Sequence, residues 1–191
     1  DPIVKGQSKG PQMNKGLADD LMIEAKGFDS ADDFVKSKVN MYHSTKKEFD
    51  EFDFSKIGES DYGYAGQGAY FTGKKGVASA YGKETVEALV DLKKPFIRTS
   101  ENWQNSKLEP YRWIADKSKA LQKKGMGFAE STKKASVEWT DMMKKKGYDG
   151  FIDDAMEGGE RVSFYPEKIK TKKQLTDIWN QAHSKGPLVK K

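Results

Sequence analysis

Apolar positions recur along the chain at two different periods, and the switches between them mark its elements. Over 17–26 the apolar residues Leu17, Leu21, Met22 and Ala25 fall on one helical face, with Gly27 placed to cap it. Ser30-Ala31-Asp32-Asp33 reads as a capping box, with Asp at the position usually held by Glu, and predicts a second helix through Lys38. The period then shortens to two. Residues 39–43 and 69–72 read as short strands, and 84–92 sets Val86, Ala88, Val90 and Leu92 in strict alternation. Pro95 breaks that strand, and Phe96-Ile97-Arg98 extends the sheet beyond it. Helical spacing returns in two lysine-rich stretches, 109–124 and 131–146, parted by Gly125-Met126-Gly127. Residues 148–153, 160–165 and Ile169 supply the last strands. A closing helix over 173–183 turns Leu175, Ile178, Trp179 and Ala182 inward. Phe49, Phe52 and Phe54 fit either an edge strand or an irregular wrap over the core.

Strands interrupted by helices at irregular intervals predict an α+β fold, not a doubly wound sheet. Residues 1–16, rich in Gly, Lys and Pro and without periodicity, read as a tail or linker. Residues 17–191 read as one domain with a helical insertion at about 105–146. An apolar fraction of 36% beside 33% charged residues predicts a compact core carrying solvated helices. The absence of cysteine excludes disulfides and thiolate metal sites, and two histidines alone make a structural zinc site a poor expectation. No apolar run approaches the length of a membrane span, so no membrane partner is expected. The net charge of +5 is compatible with an acidic or phosphate-bearing partner without requiring nucleic acid.

Candidate chemistry gathers between residues 39 and 81. His43, one of only two histidines, ends the first strand, and Gly63, Gly66 and Gly68 lead into the second. Gly66-Gln67-Gly68 is not a dinucleotide-binding fingerprint: the sixth position is Phe71, and a strand follows where a helix should begin. The glycines instead suit a tight loop that comes close to a ligand. Tyr70 lies on the strand after the loop, and Tyr81 follows a helical turn and a half later. Two rings so spaced suit a slot for a flat heteroaromatic group.

Taken singly, each of these residues has an ordinary structural explanation. Taken together they form an order: Tyr42-His43-Ser44-Thr45, then Gly68-Ala69-Tyr70-Phe71 with Tyr81 beyond, then Gly147-Tyr148-Asp149-Gly150 through Glu160-Arg161-Val162-Ser163-Phe164-Tyr165-Pro166. Over about 39–171 this resembles the ADP-ribosyltransferase superfamily of the His-Tyr-Glu type, shared by diphtheria-like toxins and poly(ADP-ribose) polymerases. Within it, the chain is most similar to the small domains of bacterial and phage polyvalent proteins and polymorphic toxins.

The resemblance implies an ADP-ribosyltransferase-like split β-sandwich with N-terminal helices, a helical insertion and a C-terminal helix. It implies NAD as substrate, no metal, and Glu160 as the catalytic carboxylate. Tyr70 and Tyr81 would hold the nicotinamide ring, and His43 a ribose hydroxyl on the adenosine side. The Ser44 backbone would clamp the carboxamide, with Thr45 completing that motif. Ser44 stands where the family reads Gly. The implied activity is mono-ADP-ribosylation of a macromolecular acceptor, protein or nucleic acid, by a toxin or effector. Such a protein would act in the cytoplasm of the producing or target cell, delivered within a larger secreted or phage-injected protein and countered by an immunity or antitoxin protein. An NAD glycohydrolase and a catalytically silent binding module of the same fold are the alternatives. Arginine-modifying members carry Glu or Gln two positions before the catalytic glutamate. This chain has Gly158 there, with Glu157 one further back, which disfavours arginine as acceptor.

Overall fold

Ser30 sets where the second helix starts. Its side chain accepts from the Asp33 backbone N–H at 3.1 Å while its hydroxyl donates to Asp33 Oδ2 at 2.8 Å, so the shorter Asp answers the serine hydroxyl in place of the capping box's backbone N–H. The computed structural model describes residues 15–47, 49–59, 62–101, 107–156 and 158–184. Residues 1–14 of the expected tail, together with Trp103 and Glu157, lie outside them. Helices α1 (Lys15–Ala25) and α2 (Ala31–Lys38) lead into strand β1 (Met41–Thr45). The strand begins two residues later than its pattern suggests, because Val39 still caps α2 through its N–H to Val35 O. Then follow β2 (Ala69–Thr72), the short α3 (Lys75–Ala78), β3 (Glu84–Val90) and β4 (Pro95–Arg98). Helices α4 (Pro110–Gln122) and α5 (Phe128–Lys145) precede β5 (Gly150–Asp153), β6 (Glu160–Ser163), β7 (Ile169–Thr171) and α6 (Lys172–Ser184).

The strands join in the order β4-β5-β6-β2-β1-β3-β7, antiparallel except for the β4–β5 pair. This is the expected α+β architecture, and its split is visible in the register. Five residue pairs join β1 to β3 and four join β2 to β6, but only Tyr42↔Thr72 joins β1 to β2. The sheet is therefore two lobes, β4-β5-β6-β2 and β1-β3-β7, meeting at a neck one pair wide.

Residues directly opposite in a ladder share a face, and neighbours along a strand alternate faces. On one face Phe151 and Val162 pack under α4 and α5 with Ile114, Ala135, Trp139 and Met143. On the same face of the other lobe, Leu89 meets the core of α1, α2 and α6, built from Leu21, Phe34, Leu175 and Ile178. The opposite face carries Met41, Ala69, Phe71, Ala88, Val90 and Ile169. Phe52, Phe54 and Ile57 pack there, so the aromatic loop is a wrap over the core and not an edge strand; only a 3₁₀ turn, Phe54–Lys56, forms in it.

Candidate active site

The two helical layers cover the two lobes and leave the row across the neck between them. Following the register, that row reads Arg98, Asp153, Glu160, Thr72, Tyr42 and Glu87, from β4 to β3. Glu160 is the first residue of β6, as the sequence predicts, and is half-buried. Its immediate neighbours are Asp153 on β5 and Thr72 on β2. Beyond Tyr42, α3 closes the row, with Lys75 Nζ held 2.8 Å from Glu87 Oε1. That contact raises the Lys75 pKa, first through its hydrogen bond to Glu87 and then through the carboxylate's charge.

Four groups that sequence reading did not single out surround the glutamate. The Tyr111 hydroxyl, delivered by the first turn of α4, lies 3.1 Å from Glu160 Oε1 and 3.1 Å from Asp153 Oδ2. Asp153, fully buried, takes Arg98 Nη1 at 2.6 Å on Oδ2 and the Ala155 N–H at 3.0 Å on Oδ1. Glu109 caps α4 by accepting from the Tyr111 and Arg112 N–H groups and faces Arg98 Nε at 3.5 Å. Burial, followed by the charges of Glu160 and Asp153, pushes the Tyr111 pKa far above the ordinary phenol range, so the hydroxyl keeps its proton and acts as a donor. The sequence held one signal for this cluster: Asp153 closes a strand exactly where β6 must begin opposite it, seven positions before Glu160.

The expected site residues divide between the two faces. Tyr70 and Ser44 follow Thr72 and Tyr42 by parity and lie on the Glu160 face, whereas His43 and Thr45 lie on the other. His43 packs among Phe49, Phe52 and Phe71 at centroid distances of 5.9, 5.0 and 5.7 Å. Its Nδ1 lies 2.7 Å from Tyr70 O; a carbonyl only accepts, so Nδ1 carries the proton, and the bond ties β1 to β2 beside the neck. Thr45 Oγ1 donates to Lys47 O at 3.0 Å and closes the turn after β1. Ser44 adopts ordinary strand geometry; its Oγ is buried with no hydrogen-bond partner among the described residues, against Gly82, where a Cβ would come within 2.5 Å of it.

The tyrosine slot differs from expectation. Tyr70 is half-buried against the α4–α5 core, and its hydroxyl donates to Gly66 O at 2.6 Å and accepts from the Ala65 N–H at 3.0 Å. Its hydroxyl therefore braces the glycine loop, a role that spacing alone does not reveal. Tyr81 stands 82% exposed.

The glycines also serve the protein's own packing. Gly63 and Gly66 have φ of +70° and +96°, and a Cβ on Gly66 would strike the Trp139 ring at 2.7 Å. A Cβ on Gly68 would meet Ser163 O at 2.4 Å. The close approach expected toward a ligand is thus made to α5 and β6.

Gly158 has φ +85°, and its carbonyl accepts from the Gly73 N–H at 2.9 Å. A side chain here adopts a strained left-handed backbone and crowds Thr72 Oγ1 at 3.0 Å. Gly158→Gln is therefore expected to cost about 1–2 kcal/mol of stability and to confer no arginine modification. Thermal melting and labelling of a polyarginine peptide check this; robust arginine labelling would contradict it.

Among the described residues no group of three or more His, Cys, Asp or Glu side chains is arranged to hold a metal, and no helix is long and apolar enough to cross a membrane. Neither the curated proteins nor the solved structures gave a match. The model of one family, ADP-ribosyltransferase in polyvalent proteins, matches residues 37–175, well over half the chain and spanning every element of the neck and its two lobes. With that match and the α+β sheet split at β1 and β2, the chain belongs to the ADP-ribosyltransferases of polyvalent proteins.

Proposed function

We propose that the protein is an NAD-dependent mono-ADP-ribosyltransferase with Glu160 as its catalytic carboxylate. The observation that carries this reading is the half-buried Glu160 in the row across the neck, bonded by Tyr111 of α4 on one side and flanked by Thr72 and Tyr42 on the other. The family's substrate is NAD. In the transfer, the bond from ribose C1′ to the nicotinamide nitrogen breaks and nicotinamide leaves with the electron pair. The acceptor's nucleophile then bonds to C1′ and loses its proton. Positive charge develops on the ribose ring as the bond lengthens, and a fixed carboxylate beside it stabilises that charge more than it stabilises the ground state.

Nicotinamide is a flat ring bearing one amide. The exposed Tyr81 ring offers stacking area, and Ser44, with its buried unpartnered hydroxyl, marks a place where a polar group would be satisfied. His43 and Thr45, turned by strand alternation away from Glu160, are assigned to tying β1 to β2 and to holding the turn that follows. Residues 107–146 carry eleven basic and five acidic side chains, so the chain's net positive charge resides in the helical insertion. An acidic protein or a nucleic acid fits that surface as acceptor, and a toxin or effector role, acting in a cell's cytoplasm and opposed by an immunity protein, follows from the same reading.

Incubation with NAD labelled in its adenylate, in the presence of cell lysate, tests the proposal. Label on a macromolecule supports it, free ADP-ribose alone identifies an NAD glycohydrolase, and neither leaves a silent binding module. Tyr81→Ala is expected to raise KM for NAD roughly tenfold with melting unchanged, because its ring buries little of itself in the protein. Tyr70→Phe, which keeps the ring, is expected to lower stability by about 1 kcal/mol through the lost loop brace. An unchanged KM for Tyr81→Ala would remove that ring from the substrate site.

A further inference from the structure

We infer that Tyr111, backed by the Arg98–Asp153 pair, positions Glu160, which makes the helical insertion a wall of the active site. The inference rests on the assignment of Glu160 made above. Asp153 and Glu160 sit directly opposite one another in the β5–β6 register, an arrangement of like charges that is unfavourable unless something is placed between or behind them. Two groups meet that need. Arg98, registered with Asp153 from β4, donates Nη1 to Asp153 Oδ2 at 2.6 Å. Tyr111 reaches over both carboxylates from α4, 3.1 Å from each.

A phenol has one proton, and both carboxylates only accept. Asp153 keeps a guanidinium on Oδ2 and a backbone N–H on Oδ1 whether or not the phenol is present, so the loss of the Tyr111 donor is read at Glu160. The phenol is itself held in place. Its ring packs edge-on against Phe151 at 6.1 Å, the Arg98 guanidinium lies over it at 5.2 Å, and Glu109 fixes the turn of α4 that carries it. A hydroxyl so anchored selects one orientation of the Glu160 carboxylate and favours its ionised form. Among the described residues, the charged and titratable groups around Glu160 include Asp153 from β5, Tyr111 from α4, and Arg98 and Glu109 behind them. Thr72 faces it from β2, with Glu87 and Lys75 farther along the row.

Tyr111→Phe keeps both ring contacts and removes only the donor. The experiment measures NAD consumption by the full chain across pH, for wild type, Glu160→Gln and Tyr111→Phe. For Tyr111→Phe the expected result is a fall in kcat of roughly ten- to a hundredfold with KM for NAD nearly unchanged. The acid limb of kcat should move to higher pH, since Glu160 loses the bond that favours its charged form. Wild-type kcat, or an acid limb that does not move, overturns the positioning role when Glu160→Gln is inactive. An active Glu160→Gln overturns the reading of Glu160 instead. Asp153→Asn supplies an independent arm should the Phe variant fail to fold. It withdraws the opposing carboxylate and is expected to move the acid limb down; an upward or absent shift overturns the inference.

Discussion

Glu160→Gln is expected to leave the fold and NAD binding in place while lowering turnover on the order of a thousandfold. The side chains have the same shape, so the amide still fits at the start of β6 beside Thr72 and Asp153. What is lost is the negative charge facing the ribose as the glycosidic bond breaks. Removing one fixed electrostatic partner of a transition state costs roughly a hundred- to a thousandfold in comparable sites, and a full charge sits at the upper end. The loss should appear in kcat and kcat/KM together, with KM little changed, because the ground state carries less of the charge that the carboxylate meets. Nicotinamide release measures turnover, calorimetry measures NAD binding, and a thermal melt checks the fold. Activity within a fewfold of wild type would take Glu160 out of the mechanism. A variant that neither binds NAD nor melts cooperatively would mean that the charge holds the sheet together rather than serving the reaction.

Local rules were enough for much of the architecture. The alternation of Val86, Ala88 and Val90 marks β3 because those positions face one buried layer, and Ser30 marks α2 because its hydroxyl answers a free N–H. Glu160, as a candidate at the start of β6, was legible through the order of motifs around it. The cluster that holds it was not. Arg98 lies 55 residues from Asp153, and Tyr111 lies 42 from Asp153 and 49 from Glu160, so no window of sequence contains their contacts. Tyr111 reads as one more aromatic on an amphipathic helix until α4 is laid on β5 and β6. His43 shows the same limit in another form. Its place beside Tyr42 in the chain gives no hint that strand alternation turns it to the aromatic side, or that its ring bonds a carbonyl across the neck. The glycine loop could be read as tight but not as packed on Trp139, since that contact joins segments more than seventy residues apart.

Asp153→Ala should be among the most destabilising single substitutions in the protein. The carboxylate is fully buried and accepts from Arg98 Nη1 and the Ala155 N–H, with the Tyr111 hydroxyl 3.1 Å from Oδ2 and its one proton shared with Glu160. Its loss removes the closest carboxylate from a guanidinium in a mostly buried position, where Glu109 lies farther off, 3.5 Å from Nε. Removing one partner of a buried pair costs about 3–5 kcal/mol, chiefly the desolvation of the charge left behind. In a domain of this size that corresponds to a fall in melting temperature of about 6–20 °C. Lys173→Ala provides the contrast. Its pair with Asp177 is also within hydrogen-bond distance, 3.0 Å against 2.6 Å, but both side chains are about half exposed, and its loss should change stability by no more than about 0.5 kcal/mol. Both pairs are direct contacts and differ chiefly in burial, so their melting curves show what burial adds. Asp153→Asn should fall between them, since the amide oxygen still accepts from Arg98 while the charge is gone. Melting of Asp153→Ala within about 2 °C of wild type would show that the Arg98 charge finds solvent or Glu109 at little cost. The cluster would then be free to evolve without the fold, and its retention beside Glu160 would have to be explained by the reaction alone.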